Sequence, residues 1–255
     1  MSTSGFKRVP AIEKCFAILR LLTKSKAAMG ITGISRALRY NKSTVFNIVH
    51  TLSDLGILEQ MPDNKFNLGT DLYLLSRAAG KSSELIQIVH PYLEEINKKT
   101  KLSAFLGIRS GMRAVILDKV DSAFDIKISS EVGMRLPLLG GAGGRALLSQ
   151  LPDREIERIL AKEELPKFTP QSCVDKKRYL MMIRKAREER IAFDDEEYIE
   201  GIYAFAVPFR TGRQNLQTAL WAVGLKRQVP KEMVQQFSEL LKKMASGIEA
   251  RFQLR

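Results

Sequence analysis

Residues 57–60 (Ile-Leu-Glu-Gln) and 65–68 (Lys-Phe-Asn-Leu) are short strand-like runs separated by Met61, Pro62, Asp63 and Asn64, a set suited to a turn. What constrains the fold is where this hairpin falls, directly behind three short helical patterns. From Pro10, the apolar Ile12, Cys15, Phe16, Leu19 and Leu22 recur at spacings of three and four, and Pro10 suits a helix start. Thr32 fits an N-cap for a helix over 33–38 with Ile34, Ala37 and Leu38 apolar. After the short connection Arg39-Tyr40-Asn41, a third helix capped by Asn41 or Ser43 turns Val45, Ile48, Val49 and Leu52 inward, and Leu55-Gly56 ends it. Cys15, on an apolar face, is expected to pack rather than react.

The remaining residues are too many for the same small module. A chain of 255 residues suits two domains, and 45% hydrophobic residues can fill real cores. The pattern over 70–79 predicts a helix punctuated by Gly80. A longer amphipathic segment follows over 82–99, with Leu85, Ile88, Val89, Leu93 and Ile96 apolar and Pro91 in its middle. The expected division is residues 1–69, a linker helix over 70–81, and a second domain over 82–255. Strands are expected over 104–109, 114–120, 126–130, 191–193, 204–209 and 218–224. Helices are expected over 145–150, 155–162, 176–190 and 230–252. Antiparallel strands mixed with helices make this an α+β arrangement, a sheet flanked by helices.

The net charge of +13 points to polyanionic partners; it is spread along the chain, with its density highest near the start. Residues 1–70 hold ten lysines and arginines against four acids. Two cysteines are too few for a disulfide scaffold or a Cys-rich metal site, so no metal and no cofactor is expected. The opening residues have no apolar signal-like run, and no stretch approaches the roughly 18–20 apolar residues that span a bilayer. A cytoplasmic protein without membrane contact is the expectation.

Two short helices joined by a tight turn, the second followed by a hairpin, are the parts of a winged helix-turn-helix. The second helix of such a module lies in the major groove of DNA and reaches base edges with its first residues. Lys42, Ser43, Thr44 and Asn47 would face outward, with Phe46 and His50 beside them. Ser35 on the preceding helix and Lys65 on the hairpin are further candidates. Ser, Thr and Lys suit phosphates, and Asn can pair bidentately with adenine. Ser, Thr and Asn near a helix start also serve as ordinary caps, so a small protein-interaction module, or a sensor that binds no DNA, remains the alternative. His50 reads as a residue at the edge of the helix surface rather than a base reader. One winged helix reaches one half-site, which argues for a homodimer or larger oligomer on a near-palindrome. Leu72, Leu74, Leu75, Phe16 and Ile18 are interface or core candidates. RNA polymerase stands open as a further partner.

In the second domain, Gly140, Gly141, Gly143 and Gly144 lead towards the helix expected from Arg145. Free N–H groups at a helix start favour an anion such as a carboxylate-bearing effector, while glycines equally let a loop pass close to a sheet. The acids Asp194, Asp195, Glu196 and Glu197 have no His or Cys nearby, which disfavours zinc and suits a solvated loop with one acid turned inward. His50 and His90, the only histidines, form no nucleophile motif, so the chain does not read as an enzyme.

The run from Val9 to Leu19, residues 31–38, Lys42-Ser43-Thr44-Val45, Leu52, Leu55-Gly56 and 65–69 together resemble the IclR family of bacterial regulators. The resemblance continues through Val132-Gly133, Leu136-Pro137-Leu138, residues 142–148, 193–197, Gly201 and Ala206-Val207-Pro208, so it covers nearly the whole chain. It implies a GAF-like effector domain, dimers or tetramers, and a small organic acid effector. The implied contacts are Ile128, Gly141, Ala142, Gly143, Asp194, Ile202, Ala204, Trp221 and Val223. The chain departs from the family pattern in several places. Asn47 stands where the family usually has Arg, Leu139 where His is frequent, and Ala204 where Cys is common. Trp221 and Val223 stand where small hydroxyl residues are frequent. These departures imply a different base preference and a more apolar pocket, suited to an aromatic or otherwise hydrophobic acid.

Overall fold

The computed structural model describes residues 8–25, 27–78, 81–128, 130–212 and 216–253. The chain divides into two compact units, residues 1–83 and 84–255. The expected break at Gly80 lies outside the described residues.

The first unit contains α1 (Pro10–Lys24), β1 (Met29–Gly30), α2 (Ile31–Leu38), α3 (Lys42–Asp54), β2 (Leu58–Gln60), β3 (Lys65–Leu68) and α4 (Thr70–Ala78). The hairpin pairs Leu58 with Leu68 and Gln60 with Phe66, and β1 adds a third antiparallel strand on the other side of β3. That added strand moves the start of α2. Met29 and Gly30 pair with Phe66 and Lys65, so the helix begins at Ile31 with Gly30 as N-cap, and Thr32 is an exposed helical residue rather than the cap. Ile18, Leu22, Ile34, Val45, Val49, Leu52, Leu58 and Phe66 form the core. Ile18 is fully buried, which removes it from the interface candidates; Phe16 is exposed.

The second unit is built on a six-stranded antiparallel sheet. Its elements are α5 (Lys81–Thr100), β4 (Ser103–Ser110), β5 (Arg113–Val120), β6 (Arg135–Pro137), α6 (Gly141–Leu148), α7 (Asp153–Lys162), α8 (Lys176–Glu188), β7 (Ala192–Asp195), β8 (Ile202–Phe209), β9 (Thr218–Leu225) and α9 (Val234–Gln253). The strand order is β6-β5-β4-β9-β8-β7. Successive residues of a strand point to opposite faces, and here both faces are buried. Phe105, Ile116, Ala204, Ala206, Ala219 and Trp221 face a core that includes residues of α6, α7 and α8. Ala104, Leu106, Phe205, Val207, Leu220 and Ala222 face a second core that includes residues of α5 and α9.

Two elements differ from the sequence expectation. Residues 126–128 and 130 are not a strand; the Ile126 and Ile128 carbonyls accept instead from Gln228 Nε2 (2.8 Å) and Ser103 Oγ (2.7 Å). The edge strand is β6, where Arg135 pairs with Val115 and Pro137 with Arg113. A proline is tolerated at such an edge. The helix expected from Arg145 begins earlier, at Gly141, so the glycine run is itself its first turn.

Candidate functional sites

Between α2 and α3 the chain turns through Arg39, whose φ of 56° places it in the left-handed region. Ser35 closes the turn twice: its hydroxyl donates to the Tyr40 carbonyl at 2.6 Å, and its carbonyl accepts from the Tyr40 N–H at 3.1 Å. The Ser35 hydroxyl proton, offered to a phosphate in the sequence reading, is thus committed to the turn. Asn41 is the N-cap of α3 but makes no side-chain cap bond. The first N–H groups of α3 therefore keep their partial positive charge for an external anion. Val45, Val49 and Leu52 anchor α3 in the core, leaving Lys42, Ser43, Phe46 and Asn47 exposed and Thr44 half-buried. Asn47 offers its amide outward, while its carbonyl accepts from Thr51 Oγ1 at 2.7 Å. On the hairpin, Lys65 is exposed and paired with Asp63 at 2.6 Å. An exposed pair of this kind is worth little and exchanges readily for a phosphate.

In the second unit, all nine residues singled out for an effector line one cavity of about 310 Å³. They are Ile128, Gly141, Ala142, Gly143, Asp194, Ile202, Ala204, Trp221 and Val223. The register of the sheet explains the convergence. Ala204 pairs with Val223, Ala206 with Trp221, and Phe105 with Trp221 from the other side. The short Ala206 side chain next to Trp221 leaves room for the indole, and the glycines complete its slot. A Cβ at Gly107 would lie 1.9 Å from the ring and one at Gly143 would lie 2.9 Å from it. Gly141 is required for its backbone: its φ is +67°, and a Cβ there would meet Asp194 Oδ2 at 2.9 Å.

Asp194 is the acid of its cluster that turns inward, at 3% exposure. Its Oδ1 accepts from the N–H groups of Glu197 (2.8 Å) and Tyr198 (3.3 Å). Burial pushes its carboxyl above the usual carboxylate range, against the pull of those two N–H groups and of Arg145. Among the described residues no Lys, Arg or His lines the cavity. Asp195 and Glu196 lie outside it and share Lys226.

Several lining residues escaped the sequence reading. Phe105, Met134, Leu136, Tyr198 and Ile199 add apolar or aromatic surface. Their signal was ordinary strand or loop composition, which does not distinguish a cavity wall from a core. Leu139 departs from the expected role: it is buried in the core shared with α7 and α8 and does not line the cavity. The more apolar character of the cavity therefore comes from Ala204, Trp221 and Val223. Beneath the glycine turn, Arg145 is 2% exposed and donates from Nη1 and Nη2 to the two oxygens of Glu197, each at 2.8 Å, and also to the Phe193 carbonyl. This pair ties α6 to the loop that carries Asp194. A larger open cleft of about 610 Å³ is lined by Arg187, Arg190, Arg210 and Glu249, but it holds none of the singled-out residues. Two of its arginines are already occupied, Arg190 by Glu249 and Arg187 by Asp153. Among the described residues no cluster of His, Cys, Asp and Glu could hold a metal ion, and no helix is long and apolar enough to cross a membrane.

Comparison with known proteins gives consistent matches over both units. A family profile described as the IclR helix-turn-helix domain matches residues 11–62, and one described as bacterial transcriptional regulator IclR C-terminal matches residues 77–250. The HTH-type transcriptional regulator XynR of Escherichia coli is 27% identical over 234 residues, covering 91% of this chain and 93% of XynR. The HTH-type transcriptional regulator KdgR of Escherichia coli is 29% identical over 201 residues, 78% of this chain and 76% of its own. Among solved structures, an IclR homologue from Microbacterium hydrocarbonoxydans in complex with 4-hydroxybenzoate superposes with a TM-score of 0.82 at 22% identity, covering 96% of this chain and 100% of that one.

Proposed function

This chain belongs to the IclR family of bacterial transcriptional regulators, and from that premise we propose that it binds a near-palindromic promoter site as a homodimer or homotetramer in the cytoplasm and responds to a small aromatic acid. The observation that carries the reading is the exposed face of α3. Lys42, Ser43 and Asn47 stand clear of the core there, next to a helix start whose N–H groups have no side-chain cap. Lys42 and the helix start meet phosphates, and Asn47 meets a base edge. Lys65 would exchange Asp63 for the DNA backbone.

The effector reading rests on the 310 Å³ cavity with its indole wall. An aromatic ring stacks on Trp221, and the carboxylate takes the N–H groups at the start of α6. The Microbacterium homologue, with its bound 4-hydroxybenzoate, supports this choice of ligand class. Ligand binding then favours one arrangement of the readers over another.

The test is duplex binding by the full chain, measured by anisotropy across a salt series with the chain's own promoter region as probe. Affinity should fall steeply with salt. Affinity without salt dependence sinks the DNA reading. Calorimetry with benzoate and with pyruvate then tests the effector, and heat from pyruvate alone sinks the aromatic acid.

A further inference from the structure

On α3, Lys42, Phe46 and His50 form one ridge at successive spacings of four, beside the ridge that carries Ser43 and Asn47. Phe46 is 50% exposed on this otherwise polar face. A single exposed apolar side chain needs no explanation in general, but this ring is held in place. It packs against His50 with ring centroids 4.3 Å apart, and His50 meets Phe66 edge-on at 5.5 Å. Phe66 is fully buried on β3 of the hairpin. The stack thus runs from the core of the module, through His50, to a fixed apolar edge beside Asn47.

An apolar surface fixed next to an adenine reader has one natural partner in the major groove. Thymine is the only base of the four that presents a methyl group there, and phenylalanine is among the side chains that contact it. We propose that Phe46 is a specificity-determining residue that reads the 5-methyl group of a thymine in each half-site, adjacent to the base pair met by Asn47. The proposal rests on the DNA-binding reading above. His50 and Phe66 act as positioning residues: they hold the ring, and the ring touches the base.

The experiment begins with selection of bound duplexes from a random pool by the full chain. Each thymine of the resulting consensus is then replaced in turn by deoxyuridine, in both half-sites, which removes the methyl group and nothing else. At one thymine per half-site the substitution should weaken binding about fourfold per contact, what burial of one methyl group is worth. Phe46→Ala should be indifferent to that substitution, whereas Phe46→Leu and Asn47→Ala should keep the sensitivity. Circular dichroism checks that each variant is folded. Phe46→Gln, which keeps a long side chain but ends it in a polar amide, should also lose the sensitivity and carries the comparison if Phe46→Ala is not folded. Undiminished sensitivity in a folded Phe46→Gln overturns the proposal. Uniform indifference of the wild-type chain to deoxyuridine overturns the proposal, as does undiminished sensitivity in a folded Phe46→Ala. A pool that yields no enriched sequence overturns the DNA-binding reading itself, an outcome distinct from either.

Discussion

Arg145 carries its charge in the interior, with both Glu197 oxygens at 2.8 Å and the Tyr179 ring 6.0 Å from its guanidinium carbon. Taking away one member of such a pair leaves the other buried and uncompensated. Arg145→Met is therefore expected to lower the stability of the second unit by about 3–5 kcal/mol in urea unfolding. The fluorescence of Trp221, the chain's only tryptophan, reports that unit directly. An unchanged unfolding midpoint would show that the pair does not hold α6. Asp194 behaves differently. Its carboxyl is raised by burial, so the folded state binds the proton more readily than the unfolded chain does. Its contribution to stability is fully present below the ordinary carboxylate value and is lost as pH rises from there through the raised value. Asp194→Asn keeps an oxygen for the Glu197 and Tyr198 N–H groups. The variant should be more stable than wild type near neutrality, with the difference shrinking as pH falls through the raised value towards the ordinary carboxylate range. A difference that stays constant over that range argues against a raised Asp194. The inward acid was legible as a type of residue within the run 194–197. Arg145 was not, because its partner lies 52 positions away and no local spacing announces it.

The first turn of α6 sets packing against propensity. Gly141, Gly143 and Gly144 predict a loop, since glycine disfavours helix by about 1 kcal/mol relative to alanine. Glycine is nonetheless required in this turn, because a Cβ at each position would run into a close neighbour: the Asp194 carboxyl, the Trp221 ring and the Leu138 carbonyl respectively. The same conflict moved the edge strand. Residues 126–130 alternate as a strand should, but strand formation needs a partner edge, and β5 pairs with Arg135–Pro137 instead. On α3 the local pattern sufficed, because a helix with one buried stripe fixes its own outward face. Lys42→Ala should weaken binding to all duplexes and reduce the salt slope by about one. Asn47→Ala should instead relax preference at one base pair by about 1–3 kcal/mol. Competition with base-substituted duplexes separates the two, and a uniform loss for Asn47→Ala would remove it as a base reader.

Leu74 and Leu75 on α4 are 53% and 57% exposed, and Phe16 on α1 is 54% exposed. Apolar surface of this kind supports the proposed oligomer. The double substitution Leu74→Asp, Leu75→Asp should reduce the mass seen in sedimentation to that of one chain and weaken duplex binding with it. An unchanged mass excludes α4 from the interface. The two-part organisation, the helix and hairpin pattern of the first unit and nine of the residues that line the second-unit cavity were legible in the sequence, whereas wall residues such as Phe105, Met134 and Tyr198 were not. Periodicity and turn chemistry are local, and the family motifs marked the cavity residues in order. Tertiary structure alone decided that the hairpin acquires a third strand from Met29–Gly30, that Ser35 spends its hydroxyl proton on the turn, and that Leu139 faces the core. It also decided that α3 and the hairpin are joined by the stack from Phe46 through His50 to Phe66. Each of these depends on which distant group reaches a given atom first, and that competition is settled only when the whole chain packs.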